Sequence, residues 1–338
     1  MLKLGKVTIG WRRIRMNFIY LTKVLVCQIH NYHKLKKKLQ SLKTILYFSI
    51  FRYPLTLEEI HGYTNNETIE VTTIELSNLI SEKILTKVGD FYVYANDLDS
   101  VTKRLKGNLL ASKALIKANQ QASFIAKFPY VKAVGVSGSL SKGYYDNESD
   151  IDFFVITKLN KLWICRTLLM LYKKLFLLNS RKYFCVNYFI SENQLEIEEK
   201  NRFTATELKT LIPMQGKVIF EQFHMKNKWV SDYFSKFNPN TNAVLDTKKP
   251  MVSKVLEFVF DTKIGNHFDF TFKKITLQKW KSKFDYLTEK DFEIALKSTK
   301  NISKHHPSNF QEKVLLALNS KIEEVKNNYN IQLQKEHV

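Results

Sequence analysis

Cysteine is scarce in this sequence of 338 residues, which holds only Cys27, Cys165 and Cys185. The three thiols lie far apart and lack the paired spacing of a zinc site. An odd, sparse set of cysteines also argues against a disulfide framework and fits a reducing compartment, so we predict a cytoplasmic protein. The histidines show no metal-ligand spacing, and His305-His306 is interpreted as part of a solvated loop.

Long uninterrupted apolar runs are also missing. The best candidate follows three arginines near the N-terminus and superficially resembles a signal peptide, but Lys23 interrupts it and no small-residue cleavage site follows. It is well short of the roughly 20 apolar residues that span a bilayer. We therefore predict no transmembrane segment. Residues 1–38 are interpreted as a basic leader, which forms an amphipathic helix or lies upstream of a true start at Met16; a peripheral membrane contact is the less favoured alternative.

Acidic residues are few relative to basic ones, because 53 lysines and arginines face 32 aspartates and glutamates, for a net charge of +21. Such an excess attracts phosphate-rich partners, whether nucleotides, nucleic acid or an anionic membrane surface. Few of these cations are arginine, while Asn, Ile, Phe and Tyr are abundant. An AT-rich genome would produce that bias without selection for binding, so the charge alone does not identify a partner.

The length predicts about two or three compact units, and the 44% hydrophobic fraction is that of a globular protein. We divide the chain into the basic leader, a winged-helix-like domain (39–97), a second domain (98–225) and a C-terminal helical region (226–330) that ends in a charged tail. No internal repeat or low-complexity tract interrupts these units. The predicted fold class is α+β.

The first folded unit shows three helical patterns followed by a hairpin signal at Gly89-Asp90. Thr56 with Glu59 predicts a capping box at the second helix, and Thr72 with Glu75 predicts another at the third. This order of elements is typical of a winged helix.

A DNA-reading winged helix would expose Lys, Arg, Asn or Gln on its third helix. The face predicted here is instead mostly acidic or neutral and has Lys83 as its only cation; its members are Glu75, Ser77, Asn78, Ser81 and Glu82. Such a face has too few cations to bind the phosphates of a DNA backbone well. We therefore favour packing or partner binding over nucleic-acid binding for this unit.

The second domain begins with a long helical pattern from Leu98 to about Phe128, in which Gly107 is the residue least favourable to a helix. Strand-like and helical patterns then alternate as β, β, α, β, α, which predicts a mixed sheet. The helical pattern "LWICRTLLMLYKKLFLL" is apolar almost all round and is predicted to be buried. Thr204 and Glu207 are in capping-box register for a short helix that ends near Pro213. Beyond the domain, helices are predicted near residues 252–260, 289–296 and 310–325.

The segment "VGVSGSLSKGYYDNESDIDFFVIT" carries the chemistry. A strand leads into Gly138-Ser139, ten residues follow, and Asp150 and Asp152 then come at the start of the next strand. Residues i and i+2 of a strand share a face, so both carboxylates are predicted to project together. Mg²⁺ would offset their repulsion and takes carboxylate and phosphate oxygens as ligands. The glycine turn, the Ser139 hydroxyl and Lys142 are the predicted contacts to a triphosphate.

This pattern resembles the DNA polymerase β-like nucleotidyltransferase superfamily, in particular small bacterial members such as the kanamycin and minimal nucleotidyltransferases. The resemblance covers about residues 110–220 and rests mainly on residues 135–157. It implies that Asp150 and Asp152 hold Mg²⁺, while Gly138, Ser139 and Lys142 bind an NTP. The implied reaction moves a nucleoside monophosphate onto an acceptor hydroxyl and releases pyrophosphate. The C-terminal helices would shape the acceptor pocket.

The superfamily also has a third carboxylate on a later strand, and here that strand carries Asn187. An amide binds metal more weakly than a carboxylate and cannot act as a general base. Glu196 is an alternative supplier of the carboxylate and Glu192 a weaker one. The second hypothesis is therefore a catalytically weak or inactive protein that senses nucleotide or binds DNA or a partner. The residues leave the acceptor, the NTP and the oligomeric state open.

Overall fold

The computed structural model describes residues 39–180, 182–244 and 246–337. The basic leader of residues 1–38 therefore lies outside the described residues. The helices are α1 Gln40–Ser49, α2 Leu57–Gly62, α3 Ile69–Ser81, α4 Asp99–Ile125, α5 Gly138–Ser141, α6 Leu162–Phe176, α7 Arg202–Thr210, α8 Lys217–Lys226, α9 Val230–Tyr233, α10 Met251–Phe260, α11 Lys263–Lys283, α12 Glu289–Ala295 and α13 Phe310–Tyr329. The strands are β1 Leu55–Thr56, β2 Leu85–Val88, β3 Phe91–Tyr94, β4 Val131–Ser137, β5 Asp152–Thr157, β6 Cys185–Ser191, β7 Ile212–Gln215 and β8 Ile302–Lys304.

The first unit contains the predicted helices α1, α2 and α3 and the predicted hairpin β2–β3, with β1 added as a third strand in the order β1-β3-β2. The capping box of α2 is formed, because the Glu59 amide donates to Thr56 Oγ1 at 3.4 Å and the Thr56 amide donates to Glu59 Oε2 at 2.9 Å. The element order agrees with the prediction, and its assignment as a winged helix stays a prediction.

The second capping box was predicted wrongly. Helix α3 begins at Ile69, so Thr72 and Glu75 lie inside it, and both are buried. The Glu75 carboxylate accepts hydrogen bonds from the Ser41 hydroxyl at 2.5 Å and from the Asn66 amide group at 2.9 Å. The face predicted to be exposed on this helix therefore does not include Glu75, which instead ties α3 to α1.

The second sheet is mixed, as predicted, with strand order β7-β4-β5-β6-β8. Strands β5 and β6 are parallel, and the remaining pairs are antiparallel. The sequence patterns did not predict β7 or β8. Strand β7 carries Pro213 at the sheet edge, where a missing N–H is tolerated. Strand β8 comes from the predicted C-terminal helical region, so that region contributes directly to the central sheet.

Helix α6 is amphipathic and not buried all round. Trp163, Cys165 and Leu169 are in the core, but Leu175 is 61% and Phe176 69% exposed. Its neighbour α11 was not predicted, whereas α10, α12 and α13 lie where the patterns placed helices.

The charged tail that follows α13 packs against the first unit. Ile331 is fully buried. Glu336 forms ion pairs with Lys43 at 2.7 Å and with Arg202 at 2.9 Å. The two ends of the described chain are therefore in contact. Over the ranges that the structure describes, no helix is both long and apolar enough to cross a membrane.

Candidate functional site

The turn after β4 lies directly against the start of β5. Gly138 has φ +70°, in the left-handed region that favours glycine. A Cβ atom at this position would lie 2.5 Å from Asp152 Oδ2. Glycine therefore serves both the backbone conformation and the close approach of the turn to the carboxylate. Ser139 follows in the first turn of α5.

Asp152 is the first residue of β5, and Asp150 precedes the strand. The prediction that both aspartates belong to the strand is therefore corrected for Asp150, although the fully buried Ile151 still separates them. Burial raises the pKa of Asp152 to about 6, and the negative charges of Asp150 and Glu207 act in the same direction. Two carboxylates in this setting are costly to ionise without a compensating cation.

Asn187 lies beside Asp152, as its place on β6 suggests. Its side-chain amide donates a hydrogen bond to Asp152 Oδ1 at 2.9 Å. The two glutamates considered as alternatives lie elsewhere. Glu196 is about half exposed and pairs with Lys200 at 2.7 Å, and Glu192 accepts from the Leu159 amide at 3.0 Å. Neither supplies a third carboxylate to this site.

Lys142 is at the site and is already paired. Its ammonium group donates to the Gly138 carbonyl at 3.0 Å and forms an ion pair with Glu207 Oε1 at 2.7 Å. Glu207 was predicted at the N-terminus of its helix, which is wrong, because α7 begins at Arg202 and its cap is Asn201, which accepts from the Thr204 amide at 3.0 Å. Nothing local in the sequence links position 207 to position 142.

A cavity of about 450 Å³ is lined by the glycine turn, Lys142, Asp152, Asn187 and Glu207, but not by Asp150. Three separate parts of the chain supply its other walls, which are largely aromatic and aliphatic. The residues from the first unit are Phe48, Phe51 and Tyr53; those from α7 and its flanks include Phe203, Leu208 and Leu211; those from the C-terminal region include Lys304, His306 and Phe310. The C-terminal region lines the cavity through β8, the loop after it and the start of α13, and its role as an acceptor pocket stays a prediction. The contribution of the first unit was missed.

The prediction of a solvated histidine pair is wrong. His306 lines the cavity beside Tyr188, with ring centroids 6.4 Å apart. Burial lowers the pKa of His306 to about 3, so the imidazole is neutral at physiological pH. His305 packs against Trp280, with centroids 4.8 Å apart.

The loop that follows the glycine turn is fixed by the first unit and by α4. Tyr53 donates from its hydroxyl to the Lys142 carbonyl at 2.9 Å, and Asn108 donates to Tyr53 Oη at 3.1 Å and to the Gly143 carbonyl at 2.5 Å. Gly107 of α4 lies under the Tyr144 ring, where a Cβ atom would be 2.3 Å from the ring carbons. The absence of a side chain at Gly107 therefore leaves room for the Tyr144 ring of this loop.

The donor set fits Mg²⁺ in chemistry, since it offers hard carboxylate oxygens next to a phosphate-binding type of turn. In the described part of the chain, no group of three His, Cys, Asp or Glu side chains gathers as a complete metal site. The aspartate pair would thus require further oxygen ligands from a substrate or from water.

Comparison with known families gives one match, in which residues 118–222 correspond to the nucleotidyltransferase domain. Searches of curated proteins and of solved structures gave no match. The matched range contains the glycine turn, both aspartates, Asn187 and Glu207. Residues 118–222 of this chain are therefore similar to the nucleotidyltransferase domain.

Proposed function

We propose that the protein is a Mg²⁺-dependent nucleotidyltransferase. It transfers a nucleoside monophosphate from an NTP to an acceptor hydroxyl and releases pyrophosphate. The observation that carries this proposal is the approach of the Gly138 turn to Asp152 in the wall of a cavity, within the matched range.

Each residue has a distinct task in this reaction. The turn at Gly138 and Ser139 offers backbone N–H groups and a hydroxyl to the triphosphate. Lys142 supplies a positive charge for the outer phosphates. Asp150 and Asp152 would hold Mg²⁺, which when bound neutralises negative charge on the phosphates. Asn187 fixes the orientation of Asp152 through its hydrogen bond.

The test is transfer of label from α-labelled NTPs to a panel of small alcohols, sugars, nucleic-acid ends and protein hydroxyls in the presence of Mg²⁺. We expect one pairing of NTP and acceptor to give labelled product, and we expect Asp150→Ala with Asp152→Ala to abolish it. The matched control is Asp90→Ala with Asp285→Ala, which removes two exposed carboxylates away from the cavity. Transfer that survives loss of the aspartate pair would falsify the assignment.

The hydrogen bond from Asn187 to Asp152 favours a second candidate function, a nucleotide sensor without turnover. An amide in this position cannot accept the proton of an acceptor. In that case calorimetry would show binding of Mg²⁺ and NTP, no pyrophosphate would be released with any acceptor, and the first unit would bind DNA or a protein partner in response.

A further inference from the structure

The ion pair between Lys142 and Glu207 lies inside the cavity and joins two elements that are far apart in the sequence. We propose that Glu207 is the general base that removes the proton from the acceptor hydroxyl, and that Lys142 holds it until an NTP binds. This assignment rests on the proposed function. It fills the role that Asn187 cannot perform.

Glu207 is placed to reach both a substrate and the phosphate turn. Its side chain is 24% exposed and lines the cavity from α7. Its carboxylate is 2.7 Å from Lys142 Nζ, and the same ammonium group is 3.0 Å from the Gly138 carbonyl oxygen. A single side chain therefore separates Glu207 from the turn that would bind the triphosphate.

The other carboxylates and the histidine that line the cavity are unsuited to this role. Asp152 is committed to the metal in the proposed reaction, and Glu199 is tied to Lys297 at 2.9 Å. The His306 imidazole holds a proton too weakly at neutral pH to act as an effective base. Among the carboxylates that line the cavity in the described ranges, Glu207 is the one that becomes free when Lys142 alone moves toward the phosphates.

Binding of the NTP supplies that movement. The triphosphate carries several negative charges and competes with one carboxylate for Lys142. When Lys142 turns to the phosphates, Glu207 loses its cation and faces the acceptor. The acceptor oxygen then forms a bond to the α-phosphorus, and the bond from that phosphorus to the bridging oxygen breaks. Pyrophosphate leaves with the electron pair, and the acceptor proton passes to the Glu207 carboxylate and later to water.

The test compares Glu207→Gln with Lys142→Met in the full-length protein. We expect Glu207→Gln to lower kcat by about 100-fold or more, the range of general-base catalysis. Its affinity for Mg²⁺-NTP should stay equal or increase, because Lys142 is free. Lys142→Met should weaken NTP binding more than it lowers kcat. A purely structural ion pair would give both variants the same effect, so these opposite effects on affinity separate the two roles.

A pH profile and two further variants complete the experiment. The rate of label transfer by Glu207→Gln should recover as the pH rises, because the acceptor hydroxyl then ionises without a base. Glu207→Asp should retain more activity than Glu207→Gln. The aspartate variant also provides a test if the glutamine variant folds poorly. The control is Glu198→Gln, since Glu198 also pairs with a lysine, at 2.7 Å, but lies outside the cavity; it should transfer at the wild-type rate.

Two outcomes overturn the assignment in different ways. If the wild-type protein transfers label and Glu207→Gln transfers it equally fast, the base assignment is wrong and the proposed function stands. If the wild-type protein transfers no label to any acceptor, the proposed function fails and the base assignment fails with it.

Discussion

Gly138 offers a sharp test of the site geometry, because alanine there adds one methyl group at a defined place. The added Cβ would lie 2.5 Å from Asp152 Oδ2. An ordinary contact separation is about 3.5 Å, so the turn or the carboxylate must move by about 1 Å. A shift of that size can cost about 100-fold in rate. The left-handed backbone adds roughly 1–2 kcal/mol of destabilisation for a residue with a side chain.

Gly89→Ala is the matched control. Gly89 also has a positive φ, +57°, but a Cβ atom there meets nothing within 4 Å. Urea unfolding should therefore show the backbone penalty alone in Gly89→Ala and at least that penalty in Gly138→Ala, whereas initial rates of label transfer should fall only in Gly138→Ala. If Gly138→Ala transfers label at close to the wild-type rate, the inferred contact between the turn and Asp152 has no role in the reaction.

Two further predictions concern the contacts around the site. Tyr53→Phe removes the hydrogen bond to the Lys142 carbonyl; it should lower the free energy of unfolding by about 0.5–1.5 kcal/mol and raise KM for the NTP, as measured by urea titration and steady-state kinetics. Burial tends to raise the pKa of Glu336, but Arg202 and Lys43 outweigh it and hold the pKa below its ordinary value. The contribution of Glu336 to the free energy of unfolding is thus fully present above its unfolded-state pKa of 4.5. It is lost as the pH falls through the lower pKa of Glu336 in the folded state. The difference in thermal unfolding temperature between the wild type and Glu336→Gln should therefore become smaller as the pH is lowered. A difference that does not change with pH would contradict this role for the ion pairs.

Local patterns predicted the parts of the site that are close in sequence. The glycine turn and Asp152 lie within fifteen residues of each other, from Gly138 to Asp152, so motif spacing was sufficient to predict their contact. The place of Asp150 in the same site stays a prediction. Asn187 was also singled out, because its strand has a clear β-type pattern; the parallel pairing of that strand with β5 was not predicted. The helices of the first unit were recognisable for the same reason, since hydrophobic periodicity and caps are local signals.

The errors arose where tertiary contacts override local signals. Thr72 with Glu75 and Thr204 with Glu207 have the spacing of a capping box, but that spacing also occurs inside a helix when both residues face a neighbouring element. Strand β8 is short and is defined by its pairing with β6, which no local pattern specifies. The proposed role of Glu207 depends in the same way on a contact with Lys142, 65 positions earlier in the chain.

Nucleotidyl transfer by this protein can be tested by measuring label transfer and pyrophosphate release in the same reaction, with Mg²⁺ and with Asp152→Asn alongside the wild type. We expect labelled product and pyrophosphate to form in equal amounts, and both to disappear in Asp152→Asn. Nucleotide binding without pyrophosphate release, or release of inorganic phosphate in its place, would contradict the proposal that this chain is a nucleotidyltransferase.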